Sequence, residues 1–193
     1  MYLKENRYPI VTEKINEYLE SHRKDLDGIY ISGGEPLMHE GVVSFLQYAK
    51  TLNYKIKIHT NGMFYERLKT ILLQQLVDHV SLDIKNAPSA YAKTCGVENM
   101  DLKDIEKSLD LLKQSAVPYD ICVTLVDELH NQATIEELGQ WIQGVDTVIL
   151  QPFEDSETTI DHSLHRPSFE VVFKYKKIFE KYVKHVKIRG DQA

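Results

Sequence analysis

The feature that most constrains this chain is an alternation of two patterns. Short apolar, β-branched runs recur along it: GIYIS (28–32), YKIKIH (54–59), HVSLDI (79–84), YDICVTLV (119–126), TVILQ (147–151) and HVKIRG (185–190). Between them lie segments of helical period, near 10–23, 41–52, 64–76, 101–116, 134–143 and 168–183. Runs of the first kind read as strands, and apolar residues three and four apart read as one face of a helix. Ile105, Leu109 and Leu112 in IEKSLDLLKQ have that spacing. A regular β-then-α order predicts parallel strands whose crossover helices cover the sheet. With 193 residues and 42% apolar content, the chain suffices for one such core. Short connections and the lack of a linker predict a single domain over 1–193.

One element breaks the order. The chain opens with a helix, whereas every other helix follows a strand, so a strand before residue 10 is absent from the pattern. The longest irregular stretch, 152–168, reads as a loop beyond the strand ends, a solvated segment or a substrate-facing insertion.

Composition excludes several functions. The net charge of -6 and pI near 5.8 arise from interspersed acids and bases, without the basic run that tracks a phosphate backbone, so no nucleic-acid partner is expected. No stretch approaches the ~20 apolar residues of a membrane span. The opening MYLKENRYPIV lacks the apolar centre of a signal peptide, and a cytoplasmic location away from membranes is expected. Two cysteines, Cys95 and Cys122, belong to no CxxC or CxxxC pair. Cys122 reads as a small buried hydrophobe in a strand, and Cys95 as part of the loop KTCGVEN.

A parallel sheet brings the carboxyl ends of its strands to one rim, where ligands bind. Gathered there are Ser32, Gly33, Gly34 and Glu35; His59, Thr60, Asn61 and Gly62; Asp83 and Lys85; Thr124; Gln151; and Arg189. Glycines after a strand let backbone approach a ligand, Pro36 fixes the exit, and Glu35 offers an acceptor to a cation or amine. GGEP alone equally describes a tight turn with a solvent-exposed glutamate. Asn-Gly in HTNG is a turn dipeptide, and a lone histidine such as His59 is more often structural. Asp83 and Lys85, two apart in a strand, share a face; they form either an internal ion pair or a receptor for a zwitterion. His162 and His165, beside Asp161, are the one histidine pair near metal-ligand spacing, and accidental proximity accounts for it.

ISGGEPL, HTNG, SLDIK, VTLV and ILQPF, in this order, resemble the radical S-adenosylmethionine superfamily. Order and spacing are most similar to the activating enzymes of anaerobic ribonucleoside-triphosphate reductase, with those of pyruvate formate-lyase as relations. The resemblance runs from about Tyr2 to Gly190. It implies a partial parallel (β/α)6 barrel, here without its first strand. It also implies that Ser32, Gly33, Gly34 and Glu35 meet the methionyl amino group of S-adenosylmethionine. Thr60, Asn61, Asp83 and Lys85 would line the methionine carboxylate and reaction pocket, with Thr124 and Gln151 on the same cofactor-binding rim. Asp83 and Lys85 are the catalytic candidates. Such an enzyme cleaves S-adenosylmethionine reductively at a [4Fe-4S] cluster, with electrons from a donor such as flavodoxin or ferredoxin. The 5′-deoxyadenosyl radical then takes hydrogen from a glycine of the partner reductase. Two departures stand out: His59 occupies a position where members commonly carry Asp, and the CxxxCxxC loop of the cluster is absent. The chain as written is therefore expected to hold no cluster and no metal, and to be inactive by itself. Two alternatives remain at this level: a non-catalytic domain that binds S-adenosylmethionine or docks a reductase, and an unrelated β/α lyase using Asp83 and Lys85.

Overall fold

The structure, a computed structural model, describes residues 12–156, 159 and 161–190. Six strands, β1 (Gly28–Ile31), β2 (Lys55–Thr60), β3 (His79–Asp83), β4 (Tyr119–Leu125), β5 (Thr147–Pro152) and β6 (His185–Ile188), form one sheet. All neighbours are parallel and spatial order equals chain order. Helices are α1 (Thr12–Ser21), α2 (Val42–Thr51), α3 (Tyr65–Leu73), α4 (Pro88–Thr94), α5 (Lys103–Gln114), α6 (Gln132–Trp141) and α7 (Phe169–Phe179). This is the open, sequentially ordered α/β sheet of a partial barrel. The expected start of the first helix, and any strand before it, fall outside the described residues. Among the described residues β1 pairs with β2 alone, so its other edge is open.

The pleat sorts the strand residues onto two faces. Ile56, Ile58, Val80, Leu82, Ile121, Val123, Val148 and Leu150 are each at most 1% exposed and pack into the core beneath the helices. Leu68 and Ile71 of α3, Leu109 and Leu112 of α5, and Ile135 and Leu138 of α6 complete it. Each such side chain stabilises by about 1.5–3 kcal/mol on burial. The alternate residues, Lys57, His59, His79, Ser81, Asp83, Asp120, Thr124 and Gln151, are polar and turn toward the opposite, concave face.

Local chemistry sets the boundaries. α6 begins at Gln132, two residues before the sequence reading, because Asn131 and Thr134 form a reciprocal capping box. α3 stops at Leu73, short of the expected 76, and Gln75 turns left-handed at φ 54°. The sequence reading did not see α4. Seven residues are too few to show a helical period, and Pro88 at its start is the only local signal. Cys95, read as loop, caps the end of that helix and is half-buried.

Candidate functional site at the strand ends

The expected rim residues converge, but the fold divides them into two groups with different roles. The first is a brace. Glu35 is 7% exposed, not the solvent-exposed residue of a simple turn. Its Oε1 accepts from the Leu37 N–H at 2.9 Å and the Thr60 hydroxyl at 2.8 Å; its Oε2 accepts from the Asn61 N–H at 2.6 Å. A buried carboxylate is hydrogen-bonded internally, and the donors come from Leu37, in the turn after β1, and from the end of β2. Thr60 is buried with it and also accepts from the Gly62 N–H. Both side chains tie one loop to the next. Ser32, Gly33 and Gly34 stay exposed, with φ of 86° and 55° at the two glycines, so backbone is presented at the surface of this loop. Asn61 is half-buried and its side chain accepts from the Met63 N–H.

The second group lies on the concave face. Lys85 donates to Asp83 Oδ2, while His59 Nε2 stands 3.7 Å from the same oxygen and its Nδ1 lies 3.0 Å from the Tyr30 hydroxyl. The other oxygen, Asp83 Oδ1, is buried without a hydrogen-bond partner among the described residues. Burial favours the neutral acid, but the bond to His59 and the ammonium of Lys85 outweigh it and hold Asp83 below the usual carboxylate range. Thr124 and Gln151 are register partners on β4 and β5, both half-buried, and Gln151 accepts from Arg189 at 2.6 Å.

Deeper on this face a satisfied network fills the sheet. Asp120, with a 6% exposed side chain, bonds Ser81 Oγ at 2.6 Å, His79 Nε2 at 2.6 Å and Lys57 Nζ at 3.1 Å. Cys122 Sγ reaches it at 3.5 Å. Burial, then the Asp120 charge, pushes the Cys122 thiol up to about 12. Behind the rim, buried His130 joins two loops. Its Nδ1 accepts from the Val126 N–H at 3.1 Å, which leaves Nε2–H to donate to the Lys85 carbonyl at 3.0 Å. Burial lowers its pKa, consistent with a neutral ring.

The sequence matches the Radical SAM superfamily over residues 2–142. The chain belongs to the radical SAM superfamily. A Methanocaldococcus jannaschii protein named as a glycyl-radical enzyme activating enzyme is 30% identical over 169 residues, 84% of this chain and 70% of that one. In fold, this radical SAM domain is similar to a domain of a pyruvate-formate lyase-activating enzyme from Bacteroides vulgatus. The TM-score is 0.68 at 19% identity, covering 84% of this chain and 99% of that one. Streptococcus suis SuiB bound to S-adenosylmethionine gives 0.75 at 13% identity, covering 98% of this chain and 46% of that one.

The two groups implied by the superfamily fare differently against these residues. The exposed Gly33–Gly34 backbone, the Lys85 ammonium and the orphaned Asp83 oxygen suit the charged methionine end of S-adenosylmethionine. A [4Fe-4S] cluster does not fit the cysteines present. Cys122 is a protonated thiol inside a strand, Cys95 has its pKa raised by burial, and no cluster of three metal-ligating side chains exists among the described residues. His162 and His165 turn to different carboxylates, Asp155 and Glu128.

Sequence reasoning missed Tyr30, Lys57, Asp120 and His130. Strand parity could have placed the first three on Asp83's face; His130 acts through a loop and left no periodic signal.

Proposed function

We propose that this radical SAM domain binds S-adenosylmethionine on the concave rim and serves the activation of a glycyl-radical enzyme. The target is anaerobic ribonucleoside-triphosphate reductase, and a flavodoxin or ferredoxin is the electron donor. The observation that carries the binding site is the buried, unpartnered Asp83 Oδ1 beside Lys85, since a fold rarely leaves such an acceptor unfilled. An incoming zwitterion supplies the missing donor and gives Lys85 a second carboxylate to grip. The Methanocaldococcus jannaschii relative supports the glycyl-radical reading by its name.

The family's reductive cleavage draws on a [4Fe-4S] cluster, for which Cys95 and Cys122 are unsuited, so this polypeptide by itself binds S-adenosylmethionine without cleaving it. The chain's own residues contribute position and charge: Gly33 and Gly34 present backbone, Asp83 accepts, and Lys85 donates. Calorimetric titration with S-adenosylmethionine, before and after anaerobic treatment with iron and sulfide, tests this. Binding is expected without iron, weakened at least about tenfold by Lys85→Ala, a loss of ~1.4 kcal/mol. Absence of binding to the unaltered chain overturns the site, and a bound four-iron cluster overturns the statement about cleavage.

A further inference from the structure

We propose that the cleft between the ends of β5 and β6 and the start of α7 anchors an acidic side chain of a polypeptide partner. The proposal deepens the glycyl-radical-enzyme reading, on which it rests, because that partner is a polypeptide. The cleft has a volume of about 120 Å³, and its lining includes Arg166 and Arg189 with apolar walls from Pro152, Phe169, Val172 and Ile188. Ligand pockets for whole cofactors run to roughly 300–1,000 Å³. This one admits a side chain and excludes a nucleotide.

Its charge is available. The Arg189 N–H bonds the Leu150 carbonyl at 2.8 Å, which fixes the residue as a continuation of the sheet. Its guanidinium donates to the Gln151 side chain, a neutral partner, and among the described residues it forms no ion pair. Arg166 pairs with Glu154 at 3.0 Å, but those side chains are 55% and 76% exposed, and such a pair is worth at most ~1 kcal/mol. A carboxylate entering between the two arginines would take bidentate hydrogen bonds that neither now makes.

The surroundings have the composition of an interface. Phe169 is 65% exposed and stacks on Phe173, also exposed, with ring centroids 6.1 Å apart. Lys176 and Lys177 lie 5.9 and 5.4 Å from the Phe173 ring and share Glu180 as counter-ion. Aromatics and arginines are enriched at protein interfaces, and exposed apolar side chains grouped beside a cleft are unusual on a bare surface. On a chain of net charge -6, this patch complements an acidic segment. The Arg189–Gln151 bond makes it continuous with the rim, so a partner anchored here lies alongside the proposed S-adenosylmethionine site.

The test is fluorescence anisotropy with the full chain and two fluorescein-labelled hexapeptides, Gly-Phe-Val-Glu-Phe-Gly and its Gln counterpart, without S-adenosylmethionine. Omitting that ligand keeps the outcome independent of whether the rim binds it. The Glu peptide is expected to bind at least about tenfold more tightly than the Gln peptide, and Arg189→Gln or Arg166→Gln should erase the difference. Both arginines are at the surface, and circular dichroism verifies that the variants fold. Equal binding of the peptides, binding of neither, or a Glu preference surviving both substitutions overturns the proposal. Displacement of the Glu peptide by an equal concentration of inorganic phosphate also overturns it, in favour of a small-anion site.

Discussion

Glu35 is a buried carboxylate held by three neutral donors, and no cation among the described residues pairs with it. Replacing one of its oxygens by an amide NH2 sets a donor against donors, so Glu35→Gln is expected to cost about 1–3 kcal/mol. For a chain of this size that corresponds to a melting temperature lower by roughly 2–12 °C. Because the brace sets the approach of the β1 and β2 loops, S-adenosylmethionine affinity should fall with it. Thermal unfolding and calorimetry on the same sample check both, and an unchanged melting temperature would remove the brace from the account. Cys122 gives a second residue-scale prediction. A thiol pushed up to about 12 stays protonated at pH 8, and thiolate is the reactive form. Iodoacetamide should therefore leave Cys122 unmodified in the folded chain and alkylate it promptly in denaturant, as read by mass spectrometry of its peptide.

Among the elements, the long loop after β5 is held at its far end by His165. Its carbonyl accepts from the Asp127 N–H at 3.0 Å, its N–H donates to Glu128 Oε2 at 2.8 Å, and its ring meets Glu128 Oε1 at 2.5 Å. The Glu128 bond raises the His165 pKa above the ordinary 6.5, and the bonds from His165 lower that of Glu128 below 4.5. The histidine's contribution is complete below 6.5 and is lost as pH rises through its raised value. The glutamate's contribution is complete above 4.5 and is lost as pH falls through its lowered value. Protection of the His165 amide against hydrogen exchange should thus be greatest between those limits, and a flat profile would show that the backbone bonds alone hold the loop. Helix packing supplies a further prediction. A Cβ on Gly139 of α6 would stand 2.4 Å from the Tyr182 ring, so Gly139→Ala should destabilise by about 1–3 kcal/mol through overpacking, measured by urea unfolding. The strands were legible because each is a β-branched run closed by turn residues. α4 was not, being shorter than two helical turns and flanked by nothing periodic.

At the scale of the molecule, one face of the sheet is stabilised by apolar burial and the other by polar pairing, and the sequence discloses these unequally. Strand parity assigns Lys57, His79, Ser81 and Asp120 to one face, but only register brings them together, and register is set by packing between strands distant in the chain. The same limit hid the Glu35 brace: GGEP and HTNG were both visible as motifs, and nothing in either says that one hydrogen-bonds the other. The polar face makes stability depend on acid. Asp120 and Asp83 are both lowered from the ordinary 3.8: burial pushes them up, but bonds from Ser81, His79 and Lys57, and from His59 and Lys85, outweigh it. Depressed carboxylates stabilise above their unfolded value, and that stability drains away as pH falls through the folded one. The urea midpoint should therefore hold steady near neutrality and fall steeply below pH ~4. Asp120→Asn deprives Lys57 of its counter-charge and should begin lower at neutral pH, yet fall less steeply in acid because one linked proton is gone. Parallel acid limbs for the two proteins would place the acid sensitivity elsewhere than in the concave network.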